Sequence, residues 1–94
     1  VYYGVGTAFN ATACTKTLSS TKGRTFTVNA GEGEYIWYAV PKRLGTCAFN
    51  VGGFDGGFTL SSTESITNTS GYSEEYYIYR SSNASLGNTT VVVS

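Results

Sequence analysis

Few side chains in this sequence could carry out a reaction. Its 94 residues include no histidine, which excludes the Ser-His and Cys-His pairs that activate a nucleophile. Glu74 and Glu75 are neighbours in a predicted strand, so they point to opposite faces and cannot act as a paired acid and base. The other carboxylates stand in or beside predicted turns: Glu32, Glu34, Asp55 and Glu64. We therefore expect no catalytic residues and no enzymatic activity.

Metal and cofactor sites are also not indicated. Asp55 lies in the glycine-rich stretch 52–57, but one acidic residue falls well short of the oxygen ligands that calcium requires. The same stretch lacks the lysine and the following helix of a phosphate-binding loop. Cys14 and Cys47 fit neither a zinc nor a redox motif. Either they form one disulfide, closing a loop of about thirty residues, or both are buried thiols.

Composition excludes several classes of partner. The net charge is zero, and 13% of the residues are charged against ~25% in an average protein. No basic patch argues for nucleic acid, and no apolar run approaches the ~20 residues of a membrane span. The length suits one domain, residues 1–94, and the absence of an initial methionine predicts that this domain is excised from a longer protein.

The rest of the chain is organised around residues 34–40, which are mostly aromatic or β-branched and therefore predict a strand. The only proline, Pro41, is expected to mark either the end of this strand or a bulge, because it cannot donate a hydrogen bond to a sheet. Alternation places Ile36, Tyr38 and Val40 on one face, and Tyr35, Trp37 and Ala39 on the other. Both faces are apolar, so this is either a central strand covered on both sides or a strand with one binding surface.

Short strands separated by glycine turns recur along the sequence, which is typical of a β-sandwich or small barrel. We predict an all-β, antiparallel, immunoglobulin-like β-sandwich of seven to eight strands with at most one short helical turn. Residues 46–51 should pair antiparallel with the central strand through a short connection. Residues 7–22 read equally well as a short helical turn or an irregular loop. The predicted strands are residues 1–5, 23–30, 34–40, 46–51, 58–62, 65–69, 74–80 and 89–93.

Side-chain alternation also predicts a core and a candidate binding face. We expect the residues that face the core to be Ile36, Tyr38, Val40, Phe49, Val51 and Ile78. The opposite face would then carry four aromatic rings, Tyr35, Trp37, Tyr77 and Tyr79. Such a surface suits sugar stacking or a protein partner. Alternatively, residues 7–22 fold over this face and make it a second small core.

Several segments together resemble a C-terminal-type domain of bacteriophage tail-associated and other virion structural proteins. These segments are Tyr-Tyr-Gly at 2–4, the tyrosine-rich strand with its Pro and Leu-Gly turn at 35–45, Gly-Tyr at 71–72, and Tyr-Tyr-Ile-Tyr-Arg-Ser at 76–81. The resemblance implies a non-enzymatic domain on the virion, with neighbouring virion proteins or a host surface glycan as partners and self-association as a further option. It supplies no catalytic residues. The alternatives are a secreted or cell-surface carbohydrate-binding or adhesin domain, and an extracellular spacer without a ligand.

Overall fold

The computed structural model describes residues 1–12, 14–16, 24–52, 54–55 and 57–94, and within these the chain is all-β. Two of its nine strands contain two residues each, which leaves seven longer ones, and one 3₁₀ turn spans Lys42–Leu44. No helix among the described residues is long and apolar enough to cross a membrane. The strands are β1 (Tyr2–Gly6), β2 (Thr15–Lys16), β3 (Arg24–Ala30), β4 (Tyr35–Pro41), β5 (Phe49–Val51), β6 (Phe54–Asp55), β7 (Phe58–Thr67), β8 (Ser73–Ser81) and β9 (Gly87–Val93).

These strands form two antiparallel sheets, which confirms the predicted β-sandwich. The first sheet has the order β2-β1-β4-β8-β7, with β4 at its centre, and the second has the order β3-β9-β5-β6. In an immunoglobulin domain the first two strands share a sheet. Here β1 and β3, the first two long strands, lie in different sheets, so the strand order is not that of an immunoglobulin.

Two predicted connections differ in the structure. Strand β5 pairs with β6 and β9 rather than with β4, because the chain leaves the first sheet at Pro41 and crosses to the second. The 3₁₀ turn and Gly45, whose φ is 83°, make this change of direction. The two weak strands predicted at 58–62 and 65–69 are one strand, β7, with a shift of register between Leu60 and Ser62.

The main core lies between the two sheets and is rich in aromatic rings. Phe26 stacks on Tyr38 with ring centroids 5.6 Å apart, and Phe49 stacks on Phe58 at 4.4 Å. The predicted core positions of β4 and β5 are confirmed. The buried members of the main core are Val1, Phe26, Ala30, Ile36, Tyr38, Val40, Phe49, Val51, Phe58, Tyr79, Val91 and Val93.

Ile78 is fully buried, but the prediction that it joins this core is wrong. Strand β8 pairs with β4 so that Ile78 lies opposite Ala39, whereas Tyr79 lies opposite Tyr38. Residues directly opposite each other in an antiparallel pair share a face. Ile78 therefore belongs to the far side of the first sheet, and its neighbours Tyr77 and Tyr79 point toward the main core.

A buried hydroxyl joins β4 to the loop after β8. Ser81 Oγ accepts a hydrogen bond from the Ile36 N–H and donates one to the Asn83 carbonyl, both at 2.9 Å. Ser81 is fully buried. We expect Ser81→Ala to lower the free energy of unfolding by about 1–3 kcal/mol, because the buried Ile36 N–H loses its partner away from water and the bond to the Asn83 carbonyl is also lost. Urea unfolding measures this.

The matched control is Ser82→Ala, since Ser82 is exposed and its described hydrogen bond, to the Gly57 carbonyl, uses the backbone N–H. This control should stay within about 0.5 kcal/mol of the parent protein. If the two variants had equal stability, the hydrogen bonds of the Ser81 hydroxyl would not stabilise the fold.

Candidate functional site

The outer face of the first sheet, the face turned away from the second sheet, is largely covered by its own chain. Trp37, Ala39, Tyr76 and Ile78 are buried there, with Tyr2, Phe9, Tyr35 and Ile66 packed around them and partly buried. We call these eight residues the outer core. The central strand β4 is thus covered on both sides, as one of the two sequence interpretations expected.

The cover over the outer core comes from the connection between β1 and β2. The Phe9 ring lies 6.2 Å from the Trp37 ring, and the Trp37 indole N–H donates a hydrogen bond of 2.9 Å to the Gly6 carbonyl. This supports the alternative that the segment 7–22 closes a second small core, for its described residues 7–12 and 14–16. Ala13 and residues 17–22 lie outside the described part of the chain.

Cys14 approaches the backbone of β1 closely at Gly4, where any larger residue would crowd it. A Cβ atom placed on Gly4 would lie 3.1 Å from the Sγ atom of Cys14. Burial raises the pKa of the Cys14 thiol. Cys47, in contrast, packs against the main core on the other side of the sheet. Both cysteines lie in the described part of the chain and are thiols, so no disulfide links them.

The four rings of the predicted binding face do not lie together. Tyr35 and Trp37 are on the outer face, whereas Tyr77 and Tyr79 are on the inner face. The prediction is wrong for Tyr77 and Tyr79, because β8 pairs with β4 so that these two residues lie opposite Val40 and Tyr38 on the inner face. Trp37 is 7% exposed, and Tyr35 has the Arg80 guanidinium carbon 4.2 Å from its ring centroid. Neither ring is a bare stacking platform.

An open groove remains at the edge of the outer core, and we call it the Tyr2 groove. It has a volume of about 310 Å³ and lies between the turn at 10–12 and the end of the β7–β8 hairpin. Tyr2 is held there by an edge-on contact with Tyr76, at a centroid distance of 5.6 Å. The groove is lined by Tyr2, Ala11, Thr12, Ile66, Thr67, Asn68 and Thr69.

Both walls of the Tyr2 groove are fixed by asparagine turns. The Asn10 side-chain oxygen accepts a hydrogen bond from the Thr12 N–H at 3.0 Å. The Asn68 side-chain oxygen accepts two, from the Ser70 N–H at 2.9 Å and the Tyr72 N–H at 3.0 Å. An Asx turn of this kind replaces part of the backbone hydrogen bonding that a loop lacks. The groove therefore has a defined shape without a ligand.

No charged side chain is among the described residues that line the Tyr2 groove. Acidic groups flank it on the outer face, since β8 places Glu74 opposite Ile66, and Glu64 opposite Tyr76. Glu74 is paired with Arg43 at 2.9 Å, an exposed contact that contributes little to stability. Among the described residues, no group of three or more cysteine and carboxylate side chains could hold a metal ion.

The residues that line the groove were not predicted from the sequence, because the predicted binding face consisted of aromatic residues on strands. The available signal was the pair of Asn-x-Thr/Ser triplets at 10–12 and 68–70. An asparagine at the start of such a triplet is a turn former. The sequence could not show that these two distant turns meet across the outer face.

Two buried tyrosines predict a loss of stability at alkaline pH. Burial is the main cause that raises the pKa of Tyr76, with Tyr2 and Glu74 adding to it, and burial also raises the pKa of Tyr79. The folded chain then keeps these phenolic protons when the unfolded chain releases them. Their stabilising contribution is complete below the ordinary tyrosine pKa of 10.0 and is lost as the pH rises through the higher folded values.

We therefore expect the thermal midpoint to begin to fall near about pH 9, where the buried Cys14 thiol contributes, and to fall further above about pH 10, where the two tyrosines contribute. The double variant Tyr76→Phe, Tyr79→Phe should show a smaller fall, because a phenyl ring has no proton to lose. Differential scanning fluorimetry across this range measures both curves. Parallel curves for the parent protein and the double variant would contradict the assignment.

Comparisons with known proteins add no second line of support for a family or a site. The fold and the Tyr2 groove therefore rest on the residues and contacts of this chain alone. No family model matches the chain, and no curated protein or solved structure is detectably similar to it.

Proposed function

We propose that this chain is a non-enzymatic attachment domain of a bacteriophage virion, in which it belongs to a tail-associated structural protein and contacts the host surface. The observation that carries the proposal is the Tyr2 groove, an open depression with fixed walls on a sheet face that the chain itself largely covers. The sequence resemblance to virion proteins, through residues 2–4, 35–45, 71–72 and 76–81, supplies the location on the particle.

An attachment domain has to present a surface that keeps its shape without its partner. The outer core supports this requirement, because the Phe9–Trp37 contact and the Tyr2–Tyr76 contact fix the two sides of the groove. A preformed site loses less conformational entropy on binding than a mobile one does. The aromatic residues of the outer core thus support the walls of the Tyr2 groove, and most of them do not contact the ligand themselves.

The experiment is a binding assay with intact bacteria. The purified domain, fused to a fluorescent protein, is incubated with a panel of bacterial strains and with tail particles of phages that infect them. We expect saturable binding to some strains, resistant to protease treatment of the cells and competed by their extracted surface polysaccharide. Binding to tail particles alone would indicate a contact with neighbouring virion proteins instead. Binding to neither cells nor tail particles would refute the proposal.

The second candidate is a secreted or cell-surface carbohydrate-binding or adhesin domain, which the same uncharged groove also favours. The parent gene separates the two functions. A long tail-fibre-like region beside this domain supports the virion protein, whereas a glycosidase domain supports the carbohydrate-binding module.

A further inference from the structure

We propose that the Tyr2 groove binds one ring of a neutral saccharide. This inference rests on the proposed attachment function and names the chemistry that the groove would recognise. It also applies to the secreted alternative, because it depends only on the residues that line the groove.

The lining of the Tyr2 groove combines apolar groups with hydrogen-bonding groups, and a sugar can contact both kinds. Tyr2, Ala11 and Ile66 supply a ring, a methyl group and an aliphatic side chain, and Thr12 and Thr69 supply two hydroxyl groups. Asn68 adds the NH₂ group of its amide, because its side-chain oxygen already accepts hydrogen bonds from the Ser70 and Tyr72 N–H groups, and the Thr67 hydroxyl is bonded to Ser73. A pyranose has apolar C–H faces and hydroxyl groups around its rim, so it can contact both kinds of wall. A purely aliphatic ligand would cover the Thr12 and Thr69 hydroxyl groups and the Asn68 NH₂ group without forming hydrogen bonds to them.

The described lining offers no charge that would attract an acidic ligand. An anionic sugar or a phosphate would find no cationic side chain in the part of the lining that the structure describes. Glu64 lies on the outer face opposite Tyr76, and Glu74 lies opposite Ile66, whereas Lys16 on β2 lies opposite Tyr2 in the strand register. Charged residues of both signs therefore occupy register positions around the groove, and none of them is a described lining residue. Only Glu74 is neutralised by a described ion pair, with Arg43. We therefore expect neutral sugars to bind better than sialylated or uronic acid sugars.

The size of the groove limits the ligand to one sugar ring. A volume of about 310 Å³ lies at the lower end of the range of roughly 300–1,000 Å³ found for small-molecule sites. A ligand of about a dozen non-hydrogen atoms, held at ordinary ligand efficiency, binds with a dissociation constant on the order of millimolar. Attachment through such a site needs several copies on one particle, which is consistent with display on a virion.

The test compares two tryptophan substitutions in one turn. Thr69 lines the groove, whereas its neighbour Ser70 does not, and both are exposed. Thr69→Trp should fill the groove, and Ser70→Trp adds the same ring to the same turn outside it. Thr12→Val, on the opposite wall, removes one hydroxyl group while keeping the shape of the side chain. Thermal melting confirms that all three variants are folded.

The measurement is an NMR titration of the labelled domain with maltotriose, chitotriose and cellotriose, and with sialyllactose as the anionic probe. We expect at least one neutral trisaccharide to shift the backbone amides of Ala11, Thr12, Thr67 and Thr69 in the millimolar range. Thr69→Trp should weaken this binding about tenfold or more, Thr12→Val should weaken it less, and Ser70→Trp should leave it unchanged.

The groove inference is overturned if no neutral trisaccharide shifts these amides at tens of millimolar, if sialyllactose binds more tightly there, or if Thr69→Trp binds like Ser70→Trp. Repeating the cell-binding assay with both tryptophan variants separates this failure from failure of the proposed function. Cell binding that survives Thr69→Trp places attachment on another surface. Saccharide binding in the groove without binding to cells or tail particles refutes the attachment function but not the groove.

Discussion

Replacement of Trp37 by alanine is expected to lower the free energy of unfolding by about 3–5 kcal/mol. Trp37 is 7% exposed in the outer core, and the substitution removes its contact with the Phe9 ring. It also removes the indole N–H that donates to the Gly6 carbonyl, at the point where the chain leaves β1. The expected loss is a large part of the ~5–10 kcal/mol that such a domain can have.

Urea unfolding measures the loss, with circular dichroism as the probe because the variant lacks the only tryptophan. Tyr72→Ala is the control, since Tyr72 is 65% exposed and should contribute less than about 0.5 kcal/mol. A change below about 1 kcal/mol for Trp37→Ala would mean that the outer core is a loose cover and not a packed unit.

Ile36→Ala is expected to cost about 2–5 kcal/mol, through a cavity in the main core rather than in the outer core. Ile36 is fully buried between the two sheets, on the strand face opposite Trp37. Its side chain is surrounded by both sheets, so the walls of the cavity can relax only in part. The loss should appear as a lower urea midpoint with an unchanged slope.

Leu60→Ala is the matched control, because Leu60 is an aliphatic residue that is 53% exposed on β7. It should stay within about 0.5 kcal/mol of the parent protein. If Ile36→Ala and Leu60→Ala were equally stable, the assignment of Ile36 to a packed core would be wrong. Together with Trp37→Ala, this pair tests whether each face of β4 covers its own core.

The part of the fold that the sequence could predict is local. The two apolar faces of β4 follow from alternation within a single strand, which is independent of any partner. The sandwich class follows from the spacing of strands and turns. The sequence could not supply the phase of β8 relative to β4, which pairs Ile78 with Ala39. A shift by one residue exchanges the two faces of a strand, and long-range pairing alone decides between them.

The candidate site could not be predicted either, because it also depends on contacts between segments that are distant in the sequence. Tyr2 lies on β1 and Ile66 on β7, and these two strands are separated by β4 and β8 in the first sheet. The loop at 10–12 reaches both residues by folding over the outer face. Each turn could be predicted from its asparagine. Their meeting depends on the packing of Phe9 against Trp37, which no local pattern records.

The pairing of β3 with β9 sets the order in which the protein can form during synthesis. These strands pair along their whole length, from Arg24 with Val93 to Ala30 with Gly87, and β9 is the strand that β3 pairs with among the described residues. The second sheet therefore cannot close until the last strand has left the ribosome. Until then the second sheet cannot cover the face of β4 that carries Ile36, Tyr38 and Val40. Contacts between such distant segments slow folding to the range of milliseconds to seconds, which lengthens the time for which apolar surface is open to aggregation.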